Sequence, residues 1–138
     1  MMGVSATGNL MSGRKGLVMG VANDHSIAWG IAAACAAQGA ELAFTYQGEA
    51  FGRRVKPLAE SVGSSLVLPA DVEDEASLDA VFAALEAEWG ELDFLVHAVA
   101  YSDKNELKGR YLDTTRANFR RTMDISCFSF VDVARRAA

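Results

Sequence analysis

The 138 residues contain only two cysteines and two histidines, and each pair is split along the chain: Cys35 from Cys127, His25 from His97. Without paired metal-ligand or redox spacing, a metal site or dithiol motif is not expected. A lone histidine with no neighbouring nucleophile makes no catalytic triad. Both cysteines lie in stretches of helical character, away from any helix start or base, and read as buried structural thiols in a reducing, cytoplasmic setting. Positive charge is also scarce. Thirteen Lys and Arg against 18 Asp and Glu give a net charge of −5, and the pairs Arg14-Lys15, Arg53-Arg54 and Arg135-Arg136 form no stripe. A nucleic-acid partner is not expected.

Long apolar runs are missing as well. None approaches the roughly 18 residues needed to cross a bilayer, and the first dozen residues lack the apolar centre of a secretory signal. The sequence therefore predicts neither secretion nor a membrane partner. Met2-Gly3-Val4-Ser5-Ala6-Thr7 follows the myristoylation pattern, but Met1 displaces glycine from the position the reaction requires. Residues 1–13 read as a flexible leader. With two prolines, 51% hydrophobic and 22% charged residues, the remainder, 14–138, has the composition of one globular domain.

What is present is an alternation of short apolar runs with longer helical stretches, the pattern of strand-helix units in a parallel α/β sheet. Strands are predicted at Gly16 to Val21, Glu41 to Tyr46, Ser65 to Ala70 and Leu92 to Val99. Each is nearly all apolar, as expected when helices cover both sheet faces. A first helix is predicted from Ser26 to Gln38, with Ile27, Ile31, Ala34 and Cys35 on one face and Gly39 ending it. A second runs from Glu49 to Val62, kinked or divided by Pro57. In the third, Leu78, Val81, Phe82, Leu85 and Trp89 form an apolar stripe and Gly90 is the stop. A polar loop from Ser102 to Asp113 leads to a last helix from Thr115, which meets the chain end without a stop signal. The right-handed crossover rule favours strand order 3-2-1-4, a Rossmann-type sheet that is incomplete at its C-terminus.

Ligands of open parallel sheets bind beyond the carboxyl ends of the strands, where the order reverses. After strand one, Gly20 to Gly30 forms a strand-helix turn. Gly20 lets backbone approach a ligand, the helix start offers free N–H groups that suit a pyrophosphate, Ser26 adds a hydroxyl donor, and Gly30 permits close helix-strand packing. The alternative is Ser26 as a plain helix N-cap, since Ala22 and His25 break the G-x-G-x-x-G fingerprint. Strand two ends at Gln47, where an acid often binds the adenosine ribose. Glu49 is a displaced acid, and Arg53 and Arg54 suit a 2′-phosphate or a solvated helix face, so the residues alone leave NADH and NADPH open. Asp71 and Val72 end strand three and suit an adenine, unless Asp71 caps the next helix. Strand four holds His97, read as a core histidine, and ends at Val99-Ala100-Tyr101-Ser102.

The string Gly20 to Gly30, with Phe44-Thr45-Tyr46-Gln47-Gly48, Asp71-Val72, His97 to Asp103 and Asp124-Ile125-Ser126, resembles the bacterial enoyl-[acyl-carrier-protein] reductases from Arg14 to Ala138. The resemblance implies an atypical short-chain dehydrogenase: NADH-dependent reduction of the trans-2 double bond of an acyl-carrier-protein thioester, by a cytoplasmic homotetramer. By position it implies pyrophosphate-side contacts at Gly20, Ser26 and Ile27, an adenosine-ribose contact at Gln47 and adenine contacts at Asp71 and Val72. Val99 falls on the nicotinamide-side ribose and Ser102 beside the substrate. The family's Tyr-x6-Lys pair is expected beyond Ala138, which leaves the present chain the cofactor-binding half and without catalytic residues. Ala100 departs from the glycine of many members. Two alternatives stay open: a short-chain carbonyl reductase, against which the missing Asn-Ala-Gly run speaks, and a non-catalytic dinucleotide-binding module.

Overall fold

The computed structural model describes residues 3–138; Met1 and Met2 of the predicted leader lie outside the described residues. Alternating apolar segments produce a four-stranded parallel sheet of β1 (Lys15–Met19), β2 (Glu41–Tyr46), β3 (Val67–Pro69) and β4 (Phe94–His97). The strand order is β3-β2-β1-β4, as the crossover rule predicts, with Val18 opposite both Phe44 and Val96 in the centre. Because side chains alternate across a strand, neighbouring residues feed opposite cores. Val18, Leu42 and Phe44 pack with Ala28, Trp29 and Ala32 of α1 (Ile27–Ala37) and Val55 and Leu58 of α2 (Gly48–Ser61). Leu17, Met19 and Ala43 pack on the other face with Leu78, Val81 and Leu85 of α3 (Glu75–Trp89) and with Val133. Full burial of each of the larger aliphatic and Phe side chains contributes about 1.5–3 kcal/mol.

α3 has both ends fixed as its sequence demands. The Asp74 side chain accepts from Ala76 N at its start, and Gly90 closes it with φ of 72° and an N–H bond to Glu86 O. The predicted stripe holds, with Leu78, Val81 and Leu85 buried. After β4 come two short 3₁₀ turns, Lys104–Glu106 and Tyr111–Asp113, and then α4 (Arg116–Met123), a π-helical turn (Asp124–Phe128) and α5 (Ser129–Ala137). On α5 the carboxylate of Asp132 is 3% exposed and bonds Arg135 and Arg136, and Arg136 also reaches Asp79 of α3 at 2.7 Å. Burial pushes the Asp132 pKa up, but hydrogen bonds from the two arginines outweigh it and hold the group below the usual carboxylate range. Residues 4–14 run along the helix ends, with Val4 N bonded to Ser61 O and Thr7 N to Ala37 O. No helix among the described residues is long and apolar enough to cross a membrane.

Several predicted details are corrected. β1, β3 and β4 are shorter than the apolar runs that announce them, because ladder pairing stops before the apolar character does. The buried side of α1 is Ala28, Trp29, Ala32 and Ala36, while Ile27 is 81% exposed and Ile31 and Ala34 face outward. A helix that is apolar on every side gives no periodic signal, and the smaller alanines allow the closer approach. α2 continues through Pro57 without division. Gly30 is exposed with open space where a Cβ would stand, so it does not serve helix-strand packing. Cys127 is exposed rather than buried, since Ile125 and Ser129, each two residues away, turn the opposite side of the helix inward.

Candidate functional site

The carboxyl ends of the four strands open onto a cleft of about 300 Å³. Gly20 and Ala22 line it from the β1 side, Gln47 from β2, Asp71, Val72 and Glu73 from β3, and Val99 and Tyr101 from β4. Strand order brings these together, because β1 and β4 are neighbours and pair Met19 with His97, 78 residues further along the chain. Five of the residues singled out in the sequence, Gly20, Gln47, Asp71, Val72 and Val99, meet here. Ser26 and Ile27 stand at the start of α1 and do not line the cleft, nor does Ser102.

Each of these has a local cause. The Ser26 hydroxyl accepts from Ala22 N at 2.9 Å and Asn23 N at 3.0 Å and donates to Asn23 O at 2.8 Å, which folds the β1–α1 turn back on itself. Ser26 takes the N-cap position of α1, but its side chain makes no capping bond, and its one proton is spent inside the turn, which corrects the reading of the hydroxyl as a donor to a ligand. The first-turn N–H groups of α1 therefore remain available, with the partial positive charge of the helix end behind them. Asp71 does not cap α3 either; that role belongs to Asp74. Its Oδ1 accepts from Glu73 N at 2.9 Å, while Ser77 Oγ bonds both its N and its O at 2.9 Å, so the strand end is held rigid. Ser102 Oγ accepts from Asn118 Nδ2 at 3.1 Å and Thr122 Oγ1 at 3.2 Å, joining the loop after β4 to α4.

The π-helical turn has a positional role. Its Ser126 Oγ meets Tyr101 N at 3.0 Å and Tyr101 O at 3.1 Å, fixing the backbone that borders the cleft. His97 Nε2 lies 2.8 Å from Ser129 Oγ, and because that hydroxyl donates to Ile125 O, the imidazole is the donor. Burial lowers the His97 pKa, as expected of a packed core histidine. Glu49, Arg53 and Arg54 are exposed along α2 and do not line the cleft. Tyr101 and Lys108 happen to stand at Tyr-x6-Lys spacing, but that spacing shares a face only on a helix, and here it crosses an irregular loop. Among the described residues no three His, Cys, Asp or Glu gather as a metal site.

Sequence reasoning missed Phe51, Glu73 and Arg121 and gave no site role to Tyr46 or Ile125, all five of which line the cleft. Looking three residues past each predicted strand end would have reached Glu73, since the third predicted strand ends at Ala70. Nothing in the sequence marks Arg121, which enters from α4 only through the chain's return across the sheet.

The family model described as Enoyl-(Acyl carrier protein) reductase matches residues 20–138. Among curated relatives, "Enoyl-[acyl-carrier-protein] reductase [NADH] 2" of Rhizobium meliloti is 69% identical over 129 residues, 94% of this chain and 48% of the relative. The Rickettsia bellii "Enoyl-[acyl-carrier-protein] reductase [NADH] FabI" is 49% identical over 95% of this chain and 50% of its own length. The solved enoyl-(acyl-carrier-protein) reductase of Anaplasma phagocytophilum, in complex with NAD, superposes with a TM-score of 0.93 at 59% identity, covering 96% of this chain and 51% of that one. The Bacillus cereus enzyme with NADP+ and an indole naphthyridinone gives 0.90 at 43% identity, over 94% and 51%. The chain spans about half the length of the curated relatives it matches.

Proposed function

The chain belongs to the enoyl-(acyl carrier protein) reductase family, and on that premise we propose that it is the cofactor-binding half of an NADH-dependent reductase acting on the trans-2 double bond of enoyl-[acyl-carrier-protein] thioesters. The observation that carries the reading is the convergence of Gly20, Gln47, Asp71, Val72 and Val99 on one cleft at the strand-order reversal. The donor set fits a dinucleotide. The uncapped start of α1, at Ser26 and Ile27, takes the pyrophosphate. Gln47 serves the adenosine ribose, Asp71 accepts from the adenine amino group, and the Val72 N–H donates to the ring. Val99 borders the nicotinamide-side ribose, and Ser102, held by Asn118 and Thr122, stands towards the substrate.

Bound there, NADH supplies the hydride that goes to the β-carbon of the enoyl thioester. On this reading no catalytic side chain is assigned among these residues, and the family's Tyr-x6-Lys pair is expected beyond Ala138. The preference for NADH over NADPH rests on the names of the relatives and on Arg53 and Arg54, which point to solvent rather than into the cleft. A cytoplasmic homotetramer belongs to the same reading, as what the resemblance to the family implies for the whole enzyme.

Isothermal titration of the protein with NADH, NADPH and an Asp71→Ala variant tests this. One NADH site is expected, with NADPH weaker and D71A weakened about tenfold by loss of a hydrogen bond to a charged group. No NADH binding at millimolar concentration would overturn the reading. So would enoyl-thioester-dependent NADH oxidation by these 138 residues at the rate of a full-length relative, which would place the catalytic groups inside the chain.

A further inference from the structure

Arg121 on α4 and Glu73 in the β3–α3 turn are 48 residues apart, yet their side chains join in a two-pronged ion pair: Nε to Oε2 at 3.2 Å and Nη2 to Oε1 at 3.1 Å. The same guanidinium lies over the Tyr101 ring, 4.7 Å from its centroid, with Nη1 3.5 Å from the phenol oxygen. All three residues line the cleft. Since β3 and β4 are the outer strands of the sheet, this contact ties the turn after one edge strand to the loop after the other. The Tyr101 end is itself fixed by Ser126, which grips its backbone on both sides.

An arginine held at its edge by a carboxylate and against an aromatic ring has little rotamer freedom left to lose. Its planar cation then offers a ready surface to a flat π-system. The side chain remains 53% exposed after both contacts, so it has surface to give. The pairing with Glu73, in the turn after β3, places the fork on the β3 side of the cleft.

We propose that Arg121 is a specificity-determining residue for the nucleotide half of the cofactor, its fork oriented by Glu73 and backed by Tyr101 to form a platform for the adenine ring. This rests on the dinucleotide reading above. Exposed ion pairs contribute little to folding, so the contact acts on ligand affinity more than on stability. Lys at position 121 keeps the charge and loses the fork and the plane; Gln at position 73 keeps the shape and loses the partner charge.

Titration calorimetry of wild type, Arg121→Lys and Glu73→Gln with NADH and with ADP-ribose, beside thermal melting of each, separates the outcomes. R121K is expected to weaken both ligands by the same factor, about five- to tenfold, and E73Q by a smaller common factor, with melting midpoints close to wild type. Unchanged affinities, or a loss for NADH that spares ADP-ribose, would overturn the adenine platform. Large falls in both melting midpoints would do the same by making the contact structural. Failure of the wild type to bind NADH would instead remove the dinucleotide reading, and this inference with it.

Discussion

A Cβ placed on Gly20 would stand 2.0 Å from the Ala98 carbonyl oxygen. Gly20 also has φ of 105°, a conformation that L side chains rarely adopt. Thus the glycine that opens the turn is required first by the close approach of the β1 and β4 ends, and the open backbone beside the cleft follows from it. Gly20→Ala is predicted to destabilise the fold by about 2–4 kcal/mol, from strain and overpacking together. Urea denaturation checks this. Because the opposing atom is backbone, Ala98→Gly in the same chain should restore little.

Ser26 holds the β1–α1 turn through Ala22 N, Asn23 N and Asn23 O rather than capping α1. Ser26→Ala leaves two turn amides without their acceptor. We predict a loss of about 1–2 kcal/mol in stability and weaker NADH binding, measured by denaturation and calorimetry on the same samples. A variant with unchanged affinity would show that the turn's shape does not depend on this hydroxyl.

Burial lowers the His97 pKa below its ordinary value near 6.5. The unfolded chain then binds more protons than the native one between the folded pKa and 6.5, so stability rises with pH in that window. The contribution is fully present above pH 6.5 and is lost as pH falls towards the folded value. We predict that the melting temperature of wild type drops more steeply between pH 7.5 and 5.5 than that of His97→Gln, as thermal scans across that range would show.

The sheet was legible because its strands are nearly all apolar and its helices alternate with them. Glu41–Tyr46 matches its prediction to the residue, and the order β3-β2-β1-β4 is the one that the right-handed crossover rule favours for these units. The cleft was legible where it is built from strand ends, which explains Gln47, Asp71 and Val99. It was not legible where tertiary return builds it. Arg121 reaches Glu73 only after the chain has crossed the sheet, and no local pattern encodes that meeting. The inward side of α1 was hidden for a different reason, since Ile27 and Ile31 look like core residues while alanines fill the core. The π-helical turn at Asp124–Phe128 has no sequence signature that distinguishes it from α-helix, although Ser126 depends on it.

Phe128, Phe130 and Val131 are about half exposed, next to Met123 and Phe119 on the same helical stretch. Apolar surface of this kind favours association. We predict concentration-dependent self-association of the protein in sedimentation velocity, reduced in a Phe128→Ser, Val131→Ser double variant. Phe130 is left in place because its ring packs edge-on against His97, 5.5 Å between centroids.

The most direct test of the account is amide chemical-shift mapping of the protein titrated with NADH. With the dinucleotide in the cleft, the largest shifts are predicted to fall on Gly20, Ile27, Gln47, Val72 and Val99, the strand ends and helix start around it, with the outward residues of α1 at Ile31 and Ala34 unmoved. Shifts confined to other surfaces, or none at saturating NADH, would contradict it.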